Sequence, residues 1–349
     1  MRCLCSVVIP THNRASLLRE CLESVAAQTY RPLEIIIADD GSTDDTESVV
    51  ASFREQIRPQ SSLNLVYLRL PREGAPKARN AGVACATGEF IQYVDSDDLL
   101  HPRKVELHLA AFAAHPEVEF VWGAYSQFDG LAPSNFEYQT ESVLRETCCS
   151  QTQRWWKDLP SMVHIGMFRR QACSRIGPWC ETLLRWQDFD YMMRFARLQP
   201  LIARHNAVLY YWRQHKGGRI ADLYKTREGV PAGLHSLRII ERGLPAIPSP
   251  DNGLQREFSN LYRGIAETAL KYDLLPEFRA ALDGALRHRR GAAFRARVLV
   301  IRWVCACAGA NCALRLLRSY RPLHFFTTSS EEGFRWGEGR CDGARIKTN

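Results

Sequence analysis

The segment Tyr93-Val94-Asp95-Ser96-Asp97-Asp98 crowds three carboxylates into four residues directly after an apolar run. Like charges that close repel one another. A hard divalent cation such as Mg2+ or Mn2+ relieves that cost and can hold a diphosphate through shared oxygen ligands. The plainer alternative is an acidic turn capping a helix expected near Pro102, since Asp is a favoured cap. A second acidic group, Asp39-Asp40-Gly41-Ser42-Thr43-Asp44, follows Glu34-Ile35-Ile36-Ile37. There a carboxylate can accept a hydrogen bond from the N–H of a base and Gly41 permits close backbone approach, although Asp-Gly-Ser is also an ordinary turn. Between the two groups lies Lys77-Ala78-Arg79-Asn80-Ala81-Gly82. Arg79 can neutralise an anion or fix an aspartate by bidentate bonds, or lie on a solvated helix face.

Such residues act together only if the chain brings them to one place. The first hundred or so residues alternate short apolar runs with helical patterns, which predicts βαβ units and a mixed, mainly parallel sheet flanked by helices. Strands are expected at 4–9, 33–38, 65–70 and 89–94, and a helix at 16–28 with Leu17, Leu18, Cys21, Leu22 and Val25 on one face. In open α/β sheets ligands bind beyond the carboxyl ends of the strands. Pro10-Thr11-His12-Asn13 and both acidic groups stand at such ends. A second strand-rich stretch covers 118–125 and 162–169, followed by a helix over 188–198. From about Arg227 the pattern becomes helical, so the expected division is 1–226, 227–326 and a polar, Gly-rich, disordered tail at 327–349.

Five segments in this order resemble the family 2 glycosyltransferases of the GT-A fold, over roughly residues 4–215. They are Ser6-Val7-Val8-Ile9-Pro10-Thr11-His12-Asn13-Arg14, Leu22-Glu23-Ser24-Val25-Ala26-Ala27-Gln28-Thr29, the Asp39 group, Ala78-Arg79-Asn80 and Asp95-Ser96-Asp97-Asp98. The resemblance implies inverting transfer of a sugar from a nucleotide-sugar donor, usually a UDP-sugar, to a glycan, lipid-linked or other hydroxyl acceptor in polysaccharide or glycoconjugate synthesis. By position, Asp40 meets the base, with Pro10, Thr11, His12 and Asn13 beside it. Arg79, Asp95 and Ser96 face the nucleotide, and Asp97 is the direct ligand of Mg2+ or Mn2+. Inversion needs a general base on the acceptor side. Family members commonly carry Glu-Asp where this chain has Gln187-Asp188, and the second position is the base, which makes Asp188 the candidate and leaves the Gln187 acceptor contact altered. Asp190, two residues on, points about 200° away around a helix. Trp186 and Trp179 offer an apolar platform for a sugar, or core packing. Arg213 and His215, alternating at strand spacing, fall near the donor phosphates.

The net charge of +8 suits an anionic partner. Residues 287–321 hold nine arginines and no acid among apolar side chains, a pattern that fits either an anionic membrane surface or helices packed with their arginines in solvent. The apolar stretch 298–317 is interrupted by Arg302, Asn311 and Arg315 and is too broken to span a bilayer. No nucleic-acid partner is expected. Twelve scattered cysteines without a CxxC pair read as reduced structural thiols. With no signal-peptide pattern at the N-terminus, a cytoplasmic location is expected, at the inner face of the cell membrane if the basic segment binds there. Two other readings compete: a degenerate transferase retained as a glycan-binding or scaffold module, and a nucleotidyltransferase. The latter usually needs a Gly-rich basic loop after the first strand, which Pro10-Thr11-His12-Asn13 is not.

Overall fold

The computed structural model describes residues 3–130, 144–145, 160, 162–214, 226–243, 252–289 and 291–319. Strands β1 (Cys5–Thr11) and β2 (Leu33–Asp39) are buried along their whole length. A parallel strand covered on both faces must be apolar on both, and Val7-Val8-Ile9 and Ile35-Ile36-Ile37 meet that condition. With β3 (Leu63–Arg69) and β4 (Phe90–Tyr93) they form a parallel run in the order β3-β2-β1-β4. The register sets Thr11, Asp39 and Arg69 side by side, so the turns after these strands leave the sheet at one edge.

Helices α1 (Ala15–Ala26), α2 (Thr46–Ile57) and α3 (Ala75–Cys85) make the crossovers. α1 buries Leu18, Cys21, Leu22 and Val25, the stripe its spacing predicts. α3 approaches the sheet at Gly82, where a Cβ would stand 2.5 Å from Cγ1 of Val8. The chain continues through β5 (Leu99–Leu100), α4 (Lys104–Ala114), β6 (Phe120–Asp129), β7 (Leu144–Arg145), β8 (Gly166–Arg169), α5 (Arg170–Ile176), α6 (Gln187–Arg197) and β9 (Ile202–Gln214). The sheet reads β3-β2-β1-β4-β8-β6-β9-β5, with β7 on β9.

Beyond β4 the sheet is mixed. β8 runs antiparallel to β4 and β6, β6 and β9 are parallel, and β9 is antiparallel to β5. This reversal matters for function. The start of β8 lies beside the end of β4, and Tyr211 of β9 pairs with Leu99 just past the Asp95 cluster. Residues far apart in sequence are thereby delivered to the carboxyl edge of the parallel strands.

The described residues form two compact units, one of 3–181 with 187–214, the other of 182–186 with the residues from 226 onward. The second unit contains α7 (Gly229–Gly243), α8 (Asn252–Lys271), α9 (Leu275–His288), α10 (Ala292–Ala308) and α11 (Ala310–Ser319). Leu237, Phe258, Tyr262, Phe278 and Leu282 are buried in it. Glu241 accepts hydrogen bonds from Tyr262, Arg287 and His288 at 2.7 to 3.0 Å. Among the described residues no helix is long and apolar enough to cross a membrane, and the nine described cysteines are free thiols. His215, the tail at 327–349 and most of 131–159 lie outside the described residues.

Candidate active site

The turns after β1 and β2 are stitched to each other. Asn13, in the left-handed region that Asn tolerates (φ +50°), receives a hydrogen bond from Thr43 N–H at 2.7 Å and gives its own N–H to Ser42 Oγ at 2.9 Å. Asp39 accepts from Ser42 N–H and Oγ and from the Tyr67 hydroxyl, at 2.9, 2.5 and 2.6 Å. Asp40 accepts from Glu73 N–H at 2.7 Å and, through both oxygens, from Gly74 N–H. Gly41 (φ +70°) makes its close approach to Arg72, not to open space, for a Cβ there would lie 3.1 Å from Arg72 N. Thr11 Oγ1 and His12 Nδ1 are buried here without a hydrogen-bond partner among the described residues.

At the end of β4 the chemistry changes. Asp95 pairs with Arg79 at 2.9 Å, Asp97 with Arg14 at 2.6 Å, and Asp98 accepts from the Tyr210 hydroxyl at 2.5 Å and Arg213 N–H at 2.8 Å. Ser96 is buried between them. Burial pushes the Asp98 carboxyl well above the usual carboxylate range, and the neighbouring Asp97 and Asp95 push it further. Burial acts on Asp95 too, but His164 and Arg79 outweigh it and hold that group below its ordinary value. His164 comes from the 3-10 turn Val163–Ile165 that precedes β8. Its Nδ1 lies 3.5 Å from Asp95 and 3.7 Å from Asp188, and its Nε2 is buried without a hydrogen-bond partner among the described residues.

Asp188 enters from the first turn of α6. Burial raises its carboxyl above the ordinary value, with His164 and Arg79 offsetting the rise only in part. Asp190 is turned elsewhere, gripped by Arg194 one helical turn on at 2.8 and 3.0 Å. Gln187, expected at the acceptor, accepts a hydrogen bond from Arg79 at 3.0 Å and so helps hold that guanidinium. Arg79 also lies 4.7 Å over the ring of Trp179, which packs against Tyr191. Trp186 belongs to the second unit, where the Arg185 guanidinium covers its ring at 3.8 Å.

Arg213, expected at the donor phosphates, lies behind a layer of protein contacts. It is 1% exposed and donates to the Asp97 carbonyl, the Gly130 carbonyl and Glu20. It fixes the acidic turn from behind.

Residues 6–177 match the family model described as Glycosyl transferase family 2. The chain carries a domain of this family. Glycosyltransferase GlyG of Streptococcus pneumoniae is 28% identical over 223 residues, covering 61% of this chain and 72% of GlyG. The chain spans 63% of the length of the curated relatives it matches in Rickettsia prowazekii and Rickettsia typhi. S. aureus TarS 1–349, solved in complex with UDP-GlcNAc, is similar in structure with a TM-score of 0.63 at 18% identity, over 97% of this chain and 98% of that one. The Pyrobaculum calidifontis mannosyltransferase PcManGT, solved with GDP-Man and Mn2+, gives 0.55 at 20% identity over 91% and 87%. These likenesses establish a GT-A fold.

Within the family domain, hard donors converge beyond β4. Ligand atoms of Asp95, Asp98 and His164 lie within 4.8 Å of one another, and the two carboxylates are the hard oxygen donors that suit Mn2+ or Mg2+. Asp97, the expected ligand, is instead held by Arg14. Sequence reasoning gave no role to Arg14, His164, Lys104 or Tyr210. Lys104 is wholly buried and donates to the Ile165 carbonyl at 2.7 Å, locking the turn that carries His164, and burial pushes its ammonium well below its ordinary pKa. The one available signal was a histidine inside the apolar run at 162–169, because buried polar groups are the informative exceptions in such runs.

Proposed function

We propose that the chain is an inverting glycosyltransferase that moves a sugar from a nucleotide-sugar donor, first of all a UDP-sugar, to a hydroxyl of a glycan or lipid-linked acceptor. The observation that carries this reading is the meeting of Asp188 with the acidic turn after β4, joined through His164 and, by way of the adjacent Gln187, through Arg79. Inverting transfer needs a proton acceptor on one face of the sugar and charge stabilisation for the leaving diphosphate on the other. Asp188 takes the proton of the acceptor hydroxyl as its oxygen attacks the anomeric carbon, while the bond to the diphosphate breaks. The raised carboxyl of Asp188 is the stronger base for it. Arg79 and Arg14 orient and neutralise the diphosphate. Thr11 Oγ1, His12 Nδ1 and the less engaged Oδ2 of Asp40 suit the hydrogen-bonding edge of a base.

A bound Mg2+ or Mn2+ would supply further stabilisation of the leaving diphosphate. Asp95 and Asp98 would hold it, with Asp97 available when Arg14 turns to the phosphates. TarS and PcManGT, solved with UDP-GlcNAc and with GDP-Man and Mn2+, support a nucleotide sugar and a divalent cation on this fold. The intact carboxylates of Asp97 and Asp188 speak against a degenerate binding module. A panel of nucleotide sugars incubated with and without Mn2+, with the product anomer read by NMR, tests the proposal. It expects metal-dependent consumption of a UDP-sugar and an inverted product; retained configuration would contradict it.

The same reading puts the enzyme at the cytoplasmic face of a membrane. Leu299, Val300 and Trp303 of α10 are 62%, 47% and 66% exposed, beside exposed Arg295 and Arg297 and with no acidic residue in α10 or α11. An apolar stripe flanked by arginines suits anionic lipid. Flotation with phosphatidylglycerol vesicles should be lost in Trp303→Ala/Arg295→Gln/Arg297→Gln and weakened by salt. Equal flotation of parent and variant would refute the contact.

A further inference from the structure

We propose that His164 is a positioning residue for Asp188, holding the base through its Nδ1–H. This rests on Asp188 as the proton acceptor and deepens that reading. The turn Val163–Ile165 faces the carboxylate: the Val163 N–H acts on Asp188 as a donor that lowers its pKa, and His164 Nδ1 stands at an ion-pair distance of 3.7 Å from Oδ2 of the same group. The turn cannot drift, because Lys104 donates to the Ile165 carbonyl at 2.7 Å and Gln92 to the His164 carbonyl at 2.9 Å. The imidazole is fixed as well, packed on the Tyr210 ring with centroids 4.7 Å apart, and Tyr210 is tethered to Asp98. His164 Nδ1 also faces Asp95 at 3.5 Å. One ring nitrogen thus stands at ion-pair distance from both the carboxylate at the donor side and the carboxylate at the acceptor side. It sets the distance between the proton acceptor and the leaving group, on which a displacement at one carbon depends.

A residue that acts only through Asp188 has no work left once Asp188 is lost, so a double-mutant cycle separates this role from a general packing role. Transfer would be measured on the parent, His164→Ala, His164→Asn, Asp188→Asn and His164→Ala/Asp188→Asn. His164→Ala should lower kcat on the order of 10–100-fold with donor KM and calorimetric UDP·Mn2+ affinity unchanged. His164→Asn, whose amide N–H can stand where Nδ1–H stood, should recover part of the loss and keeps the test open if the alanine variant does not fold. The double variant should be no slower than Asp188→Asn. Additive losses, or a fall in UDP·Mn2+ affinity that matches the fall in kcat, would overturn the proposal and class His164 with packing residues or metal ligands. Full turnover in Asp188→Asn would instead remove the base assignment beneath it.

Discussion

The two acidic turns at the sheet edge look alike in sequence and are physically opposite. After β2, Asp39 and Asp40 are met by neutral donors, backbone N–H groups and hydroxyls, and among the described residues neither forms an ion pair. After β4, three carboxylates meet Arg14, Arg79 and His164 as well as each other, and Asp98 is driven far above its usual range. Buried charge satisfied by fixed neutral donors makes a frame whose shape is complete before any ligand arrives. Carboxylates that share cations and repel one another keep a balance that a bound diphosphate or divalent ion would shift.

The contrast is broken or kept by one pair of variants. Asp97→Ala should abolish measurable UDP·Mn2+ binding in calorimetry while the fold survives. Asp39→Ala should do the reverse: it strands the Ser42 and Tyr67 donors and costs about 1–3 kcal/mol of stability for each donor left unpaired, with UDP affinity kept if the fold holds. Undiminished UDP·Mn2+ affinity in Asp97→Ala would dissolve the distinction.

A smaller effect extends the comparison to the second unit. Tyr262, His288 and Arg287 overcome the burial of Glu241 and hold its carboxyl far below its ordinary value of 4.5. A depressed carboxylate contributes stability above its unfolded pKa and loses it as pH falls through that value toward the folded one. Chemical denaturation of Glu241→Gln should therefore show a deficit at pH 7 that shrinks steadily below about pH 4. A deficit independent of pH would mean that packing, not charge, sets the contribution.

What could be read in the sequence follows from the range of the physics. β1 and β2 were legible because a strand buried on both faces must be apolar throughout, and α1 because its stripe is local. The opposition of Asp188 and Asp190 was legible too, since helical rotation alone separates them and Arg194 lies one turn from Asp190. His164 was not, because its partners are set by the antiparallel pairing of β8 with β4. Strand alternation could choose a face for Arg213 but could not tell that Glu20 of α1 and the Asp97 carbonyl would consume it. Three acceptors hidden in the fold, the Asp97 and Gly130 carbonyls and the Glu20 carboxylate, thus engage the guanidinium expected at a ligand.

The central claim is that Asp188 removes the acceptor's proton. Transfer rate and UDP affinity measured on Asp188→Asn beside Asp190→Asn test it most directly. Asn keeps the size of the side chain but not the proton acceptor, so Asp188→Asn should lower turnover by about 10²–10⁴-fold with UDP affinity retained. Asp190→Asn should weaken the Arg194 contact and leave most of the turnover in place. Collapse in Asp190→Asn with near-normal transfer in Asp188→Asn would contradict the account.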